Sequence, residues 1–252
     1  MGSNGVAHVL QKAYEGKRLE NHEALSLYEA NLLELGMVAD HCRKRFHPWP
    51  VGCGSQGRPE EVVTFIVDRN INYTNVCITY CKFCTFYRPP HESEGSWFYT
   101  NDEIFKKIEE LVAIGGTQVL LQGGHHPKIT LDYYTTLLRE IKKRFNIHIH
   151  SFSAPELEHL SRVSHKPVRE ILLALKEAGL NSVPGGGAEI LVDRVKKVIS
   201  PLKTTSERWL EIHETIHSLG MRSTATMMFG TVESGAERIE HLEKIRNLQD
   251  KT

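Results

Sequence analysis

Three of the five cysteines in the chain, Cys77, Cys81 and Cys84, fall within the run CITYCKFC. The C-x₃-C-x₂-C spacing gathers three thiolates on one loop, which suits a soft metal centre, iron–sulfur or zinc. A structural zinc ion wants four protein ligands, and no further cysteine follows Cys84. A [4Fe–4S] cube also normally takes four thiolates; held by three, it keeps one iron open for chemistry. Two readings compete with it. The cysteines could be buried small hydrophobes, or a zinc site completed by a histidine in a non-catalytic Cys/His scaffold module. Cys42 and Cys53 are isolated and read as ordinary thiols.

Other residues with chemical potential follow apolar, β-branched runs. Gly123 and Gly124 let the backbone approach a ligand closely. His125 and His126 come directly after them. In HIHSFS, period two puts His148, His150 and Phe152 on one face and Ile147, Ile149 and Ser151 on the other. The isoleucines are expected to pack outward on helices, and the histidines to point inward. An inward histidine can orient a polar substrate or accept a proton, and a satisfied core histidine is the alternative for each. Glu189, in PGGGAEI, reads either as a ligand contact or as an acid favoured by a helix N-terminus.

These residues need a scaffold. Residues 6–46 read as helical, with Leu25, Tyr28, Leu32 and Leu35 at steps of three and four and a break expected at Gly36. Residues 47–59, with three Pro and three Gly, read as a loop. Strands and helices then alternate. Strands are expected from Val62 through Val67 toward Thr74, at 118–122, 147–153, 180–183 and 222–229. Helices are expected from Asp102 to a close on Gly115-Gly116 (capped by Thr100 or Asn101), and at 131–145, 168–178, 207–219 and 236–248. Alternation of this kind implies βα units around a parallel sheet. The cysteine loop, Gly123-Gly124, Gly185–Gly187 and Gly230 all follow C-terminal strand ends, the face where barrel enzymes build their sites.

The chain has 252 residues and equal numbers of acidic and basic side chains, which argues against a sequence-wide nucleic-acid binder. No apolar run approaches the roughly 20 residues that span a bilayer, and no secretory h-region is visible at the N-terminus. Clustered, unpaired cysteines fit a reducing cytoplasm.

Cys-x₃-Cys-x-aromatic-Cys, with Phe83 as the aromatic, resembles the signature of the radical S-adenosylmethionine (SAM) enzymes. RNINYTNVC at 69–77, CKFCTFYR at 81–88, QGGHHP at 122–127, PGGGAEILVDRV at 184–195 and ATMMFGTVE at 225–233 resemble its futalosine-pathway branch in menaquinone biosynthesis. The resemblance implies an α/β fold, a partial (β/α)₆ TIM-type barrel, with residues 1–59 as an N-terminal helical extension and loop and 60–252 as the barrel. It also implies a sixth strand beyond LQDKT, so the barrel reads as truncated after the fifth βα unit. The implied cofactors are a [4Fe–4S] cluster on Cys77, Cys81 and Cys84, and SAM. Phe83 would meet adenine, Gly123 and Gly124 the methionine amino group, Glu189 the ribose or amino group, and Arg208 the methionine carboxylate. Ser153 joins the cofactor-binding set, at a strand end where, with Glu156, the family contacts substrate. The segment of Gly230 and Glu233 would approach adenine. The implied reaction takes a hydrogen from C4′ of dehypoxanthine futalosine and closes a ring on its benzoate, with His126, His148 or His150 as proton acceptor. Formation of aminofutalosine or of the deazaflavin core are alternatives in the same branch. The electron donor would be a flavodoxin- or ferredoxin-type protein.

Overall fold

Short segments pair edge to edge, and the pairing is entirely parallel. The computed structural model describes residues 3–46 and 65–252. Five strands, β1 (Asp68–Asn72), β2 (Gln118–Gln122), β3 (His148–Ser151), β4 (Ser182–Val183) and β5 (Arg222–Ser223), form one sheet in sequential order. Asp68 lies opposite Gln118, Gln118 opposite His148, His150 opposite Ser182, and Ser182 opposite Arg222. Sequential parallel strands need crossovers, and helices supply them. This is the expected α/β partial barrel.

The helices dock by apolar stripes. Helix α4 (Asn101–Ala113) buries Ile104, Phe105, Ile108 and Leu111, and α7 (Val168–Glu177) buries Val168, Ile171, Leu172 and Leu175. Both stripes follow helical spacing and face the sheet residues Ile71, Val119, Leu121 and Ile149 in one continuous core. Thr100 caps α4: its hydroxyl accepts from the Glu103 N–H, and the Glu103 carboxylate accepts from the Thr100 N–H at 2.7 Å. Thr100→Ala is expected to cost about 1 kcal/mol in urea unfolding, without changing the cavity described below.

Among the described residues, 66–233 with 244–252 form one compact unit, and 3–46 and 65 with 234–243 another. In the latter unit α1 (Ser3–Tyr14), α2 (Asn21–Ser26), a 3₁₀ turn (Leu27–Glu29) and α3 (Leu32–Phe46) pack together, and Lys12 pairs with Glu23 at 2.6 Å. The division expected at 59/60, the loop at 47–59 and the strand start at Val62 fall outside the described residues.

Three sequence expectations change. Gly36 lies inside α3, and the break comes earlier, at Ala30–Asn31. Two helices were not anticipated: α6 (Ala154–Ser164) and α8 (Asp193–Ile199). The run 222–229 pairs only over Arg222–Ser223. Beyond that point Thr224 and Thr226 turn to the glycine loop, the Gly185 N–H donating to Thr224 Oγ1 (2.9 Å) and Thr226 Oγ1 donating to the Gly185 carbonyl (2.8 Å). The remaining helices are α5 (Leu131–Arg144), α9 (Ser206–Ser218) and α10 (Gly235–Lys251).

Candidate active site

All three clustered cysteines open onto one cavity of about 280 Å³ at the C-terminal ends of the strands. After β1 the chain leaves the ladder through Tyr73 to Val76 and enters the cysteine loop. The loop is pinned at both ends: the Cys77 N–H donates to the Arg88 carbonyl (2.9 Å) and the Ile78 N–H to the His125 carbonyl (3.2 Å). The Lys82 N–H donates to the Ile199 carbonyl at the end of α8 (2.8 Å). Cys77 is half-buried, Cys81 buried and Cys84 exposed, and none is in a disulfide.

The cavity also takes in Phe83, Gly123, Gly124, Ser153 and Glu189, together with Glu156, His125 and Lys203. Gly124 sits where a Cβ would run into the Val76 carbonyl and the Cys77 Cβ. Its N–H donates to the Thr74 carbonyl at 2.8 Å. Glu156 anchors the neighbouring turn. Its Oε1 accepts from the Gly123 N–H (2.9 Å) and the Tyr73 hydroxyl (3.1 Å), and its Oε2 from the Ser153 N–H (2.8 Å) and hydroxyl (2.6 Å). Burial raises the Glu156 pKa against the pull of these donors.

Glu189 lies in left-handed backbone at φ +43° after the Gly185–Gly187 turn. Its Oε1 accepts from Lys203 Nζ at 2.8 Å; its Oε2 is buried without a hydrogen-bond partner, with Lys196 Nζ 3.8 Å away. Such an orphaned acceptor is costly unless something supplies a donor.

Burial holds His125 far down, at about 3, with neighbouring His159 adding to the effect. Its Nδ1 shares a proton with Thr79 Oγ1 at 2.7 Å, and its ring stacks on His159. A histidine with a depressed folded pKa resists protonation that the unfolded chain accepts. Stability is therefore present above about 6.5 and lost as pH falls from there toward 3. Each pH unit in that window costs on the order of 1.4 kcal/mol. Glu156 acts oppositely, stabilising at low pH and losing that contribution as pH rises through its raised value. His125→Asn is accordingly expected to flatten the acid limb of stability between pH 6.5 and 4.5, followed by thermal melts.

Five sequence candidates lie elsewhere. His148 and His150 do share a face, as period two requires, and both rings bond Ser182 Oγ at 2.7 Å. That places them along the strand, away from the cavity rim. His126 packs near Phe98 and its Nδ1 accepts from the Lys128 N–H. Arg208 pairs with Glu211 at 2.8 Å and approaches Glu158 on the outer surface. Glu233 folds back on the Gly230 and Thr231 N–H groups rather than onto the cavity. Sequence reasoning missed Lys203, for which no motif signalled a role, and gave His125 and Glu156 too little weight. The S-x-x-E capping box from Ser153 to Glu156 was a readable sign.

A larger cavity, about 660 Å³, is bordered by α9, β5 and the end of α10. It holds no cysteine, so the smaller cavity is where the metal chemistry of the sequence converges.

The profile of the radical SAM superfamily matches residues 71–245. The chain belongs to the radical SAM superfamily. Curated relatives include cyclic dehypoxanthine futalosine synthase of Streptomyces coelicolor (46% identity over 246 residues; 97% of this chain, 59% of the relative). The protein of the same name from Halalkalibacterium halodurans is 45% identical, covering 97% of this chain and 63% of the relative. Aminodeoxyfutalosine synthase of Thermus thermophilus is 38% identical over the same shares. The chain thus spans about three-fifths of the length of these relatives. Among solved structures, HydG, a maturase of the [FeFe]-hydrogenase, superposes with TM-score 0.72 at 15% identity, covering 100% of this chain and 52% of that one. That likeness concerns the fold.

Radical SAM enzymes use a [4Fe–4S] cluster and SAM, and the cavity can be tested against both. Cys77 Sγ accepts from the Thr79 N–H (3.3 Å) and the His125 N–H (3.2 Å), donors that favour a thiolate. Burial pushes the Cys81 thiol up to about 11 and raises Cys77, so both are thiols until a metal takes their protons. Among the described residues no three Cys, His, Asp or Glu side chains converge on one ion. A cube bonds each thiolate to a different iron, so single-ion convergence is not what it requires. The open acceptor Glu189 Oε2 and the glycine-lined wall at Gly123 and Gly124 offer an amino or hydroxyl group its partners. The residues fit a radical SAM centre.

Proposed function

We propose that the chain carries the radical cyclase activity that converts dehypoxanthine futalosine to cyclic dehypoxanthine futalosine in menaquinone biosynthesis. The observation that carries this reading is the 46% identity to a cyclic dehypoxanthine futalosine synthase, spread over 97% of the chain. When bound, the cluster and SAM supply one-electron cleavage of SAM to methionine and a 5′-deoxyadenosyl radical. Cys77, Cys81 and Cys84 would hold the cluster. Gly123, Gly124 and Ser153 would present backbone and hydroxyl groups to SAM, Phe83 an aromatic wall, and Glu189 a carboxylate oxygen. The substrate would yield one hydrogen atom from C4′ and close onto its benzoate ring; restoring aromaticity would then release one proton to a base and one electron, which balances the electron spent on cleaving SAM.

The protein's task is to shape and dry the site so that the substrate radical meets its own ring and nothing else. Glu156 contributes by fixing Gly123, Ser153 and Tyr73 around one carboxylate. We assign the electron donor to a flavodoxin- or ferredoxin-type protein and the compartment to the cytoplasm. The four described cysteines are free, in keeping with a reducing compartment, and no helix among the described residues is long and apolar enough to cross a membrane.

Mass spectrometry after anaerobic reconstitution tests the reading. Dithionite, SAM and dehypoxanthine futalosine are expected to give 5′-deoxyadenosine, methionine and a product two hydrogens lighter than substrate. Turnover instead of an enol-ether benzoate, with the adenosyl group retained in the product, would assign the chain to the aminofutalosine reaction.

A further inference from the structure

Lys203 is the only Lys or Arg among the described residues lining the cysteine cavity. Its Nζ lies 2.8 Å from Glu189 Oε1 and 5.7 Å from the ring centroid of Phe83, the aromatic between Cys81 and Cys84. The segment that carries it is tied to the cysteine loop. The Lys203 N–H donates to the Ser200 carbonyl (3.0 Å), and the Lys82 N–H to the carbonyl of adjacent Ile199 (2.8 Å). The side chain is 15% exposed, and Lys196, 4% exposed, stands on the other side of Glu189 with its Nζ donating to the Gly187 carbonyl at 2.6 Å. Two ammonium groups therefore flank one carboxylate, and only the Lys203 side chain reaches the cavity wall.

A charge in such a place acts strongly on its neighbours, because little water screens it. It matters here because the family's centre gains one electron before any bond breaks. Adding an electron beside a fixed cation is favoured, and net charge and local hydrogen bonding are among the factors that set cluster potentials. Elsewhere on the wall, His125 Nδ1 bonds Thr79 Oγ1 and Glu156 is held by the uncharged donors of Gly123, Tyr73 and Ser153.

We propose that Lys203 is the fixed positive charge that raises the reduction potential of the cluster held by Cys77, Cys81 and Cys84, with Glu189 as the opposing charge. The step concerned is the gain of one electron from an external low-potential donor, with no bond made or broken. The inference rests on the family's cluster and not on the substrate. It is measured without SAM or substrate, so a failed cyclase assay would leave it standing.

The experiment is a redox titration of the reconstituted protein with dithionite, followed by electron paramagnetic resonance, at matched iron content. Lys203→Met is expected to lower the equilibrium constant for reduction about tenfold, which for one electron is a midpoint 59 mV more negative. Lys203→Arg should stay near wild type. Glu189→Gln, which keeps the ammonium and removes the opposing charge, should move the midpoint the other way. A purely structural role would shift both neutralising variants in one direction. Equal midpoints for Lys203→Met and wild type, or shifts of the same sign in the two variants, would overturn the proposal. If Lys203→Met fails to load a cluster, Glu189→Gln decides: a more positive midpoint supports the proposal, and an unchanged or more negative one overturns it.

Discussion

Cys77→Ser is expected to bring substrate-dependent 5′-deoxyadenosine down to background while leaving the fold nearly as stable as wild type. The two effects separate because Cys77 has two duties. As a thiolate it would hold one iron, and an alcohol oxygen is a poor substitute for soft-metal ligation. As a structural acceptor it receives the N–H groups of Thr79 and His125, both buried. A serine oxygen can still accept those bonds. Cys77→Ala cannot, and each stranded donor costs about 1–3 kcal/mol. The alanine variant should therefore lose cluster and stability together, and the serine variant cluster alone. Iron content and urea unfolding, measured on both proteins, check this. Full iron loading in Cys77→Ser would remove Cys77 from the ligand set.

Gly124→Ala should be nearly as damaging, through backbone and not through any lost contact. The added Cβ would meet the Val76 carbonyl and lie 3.0 Å from the Cys77 Cβ. Neither neighbour is a flexible side-chain end, so either the cysteine loop or the β2–α5 turn must shift. Overpacking of this sort costs typically 1–3 kcal/mol, occasionally more, and here it displaces a cluster ligand. Gly36→Ala is the natural comparison. Gly36 lies in the interior of α3 with open space around it, and alanine there should stabilise by about 0.5–1 kcal/mol. Thermal melts of the two variants should diverge in opposite directions, and only Gly124→Ala should lose iron; an innocuous Gly124→Ala would contradict the packing described.

The cysteine loop was legible because its ligands are local: three thiolates within eight residues need no fold to bring them together. The order of strands was legible for a similar reason, since β-branched runs and glycine stops alternate along the chain. What period two conveys at β3 is face and not depth. It correctly pairs His148 with His150, yet it does not tell that their rings bond Ser182 along the strand, below the residues at the rim. Arg208 is a candidate in the sequence because a guanidinium fork suits a carboxylate, whereas the fold gives the cavity's cation to Lys203, on the turn between α8 and α9. Nothing local distinguishes Lys203 from any surface lysine. Its partner Glu189 is fourteen residues away, and only the glycine turn and α8 bring the two within 2.8 Å. Helix α6 was readable, from the Ser153–Glu156 capping box with Pro155 in its first turn. The short strand β5 was not: threonine hydroxyls of residues 224 and 226 take the bonds that a longer ladder would have used.

Isotope transfer tests the central claim most directly. Dehypoxanthine futalosine carrying deuterium at C4′ would be incubated anaerobically with the reconstituted protein, dithionite and SAM, and 5′-deoxyadenosine analysed by mass spectrometry. The account predicts 5′-deoxyadenosine one mass unit heavier, formed together with the cyclised product. Unlabelled 5′-deoxyadenosine with deuterium retained in the recovered substrate would contradict it.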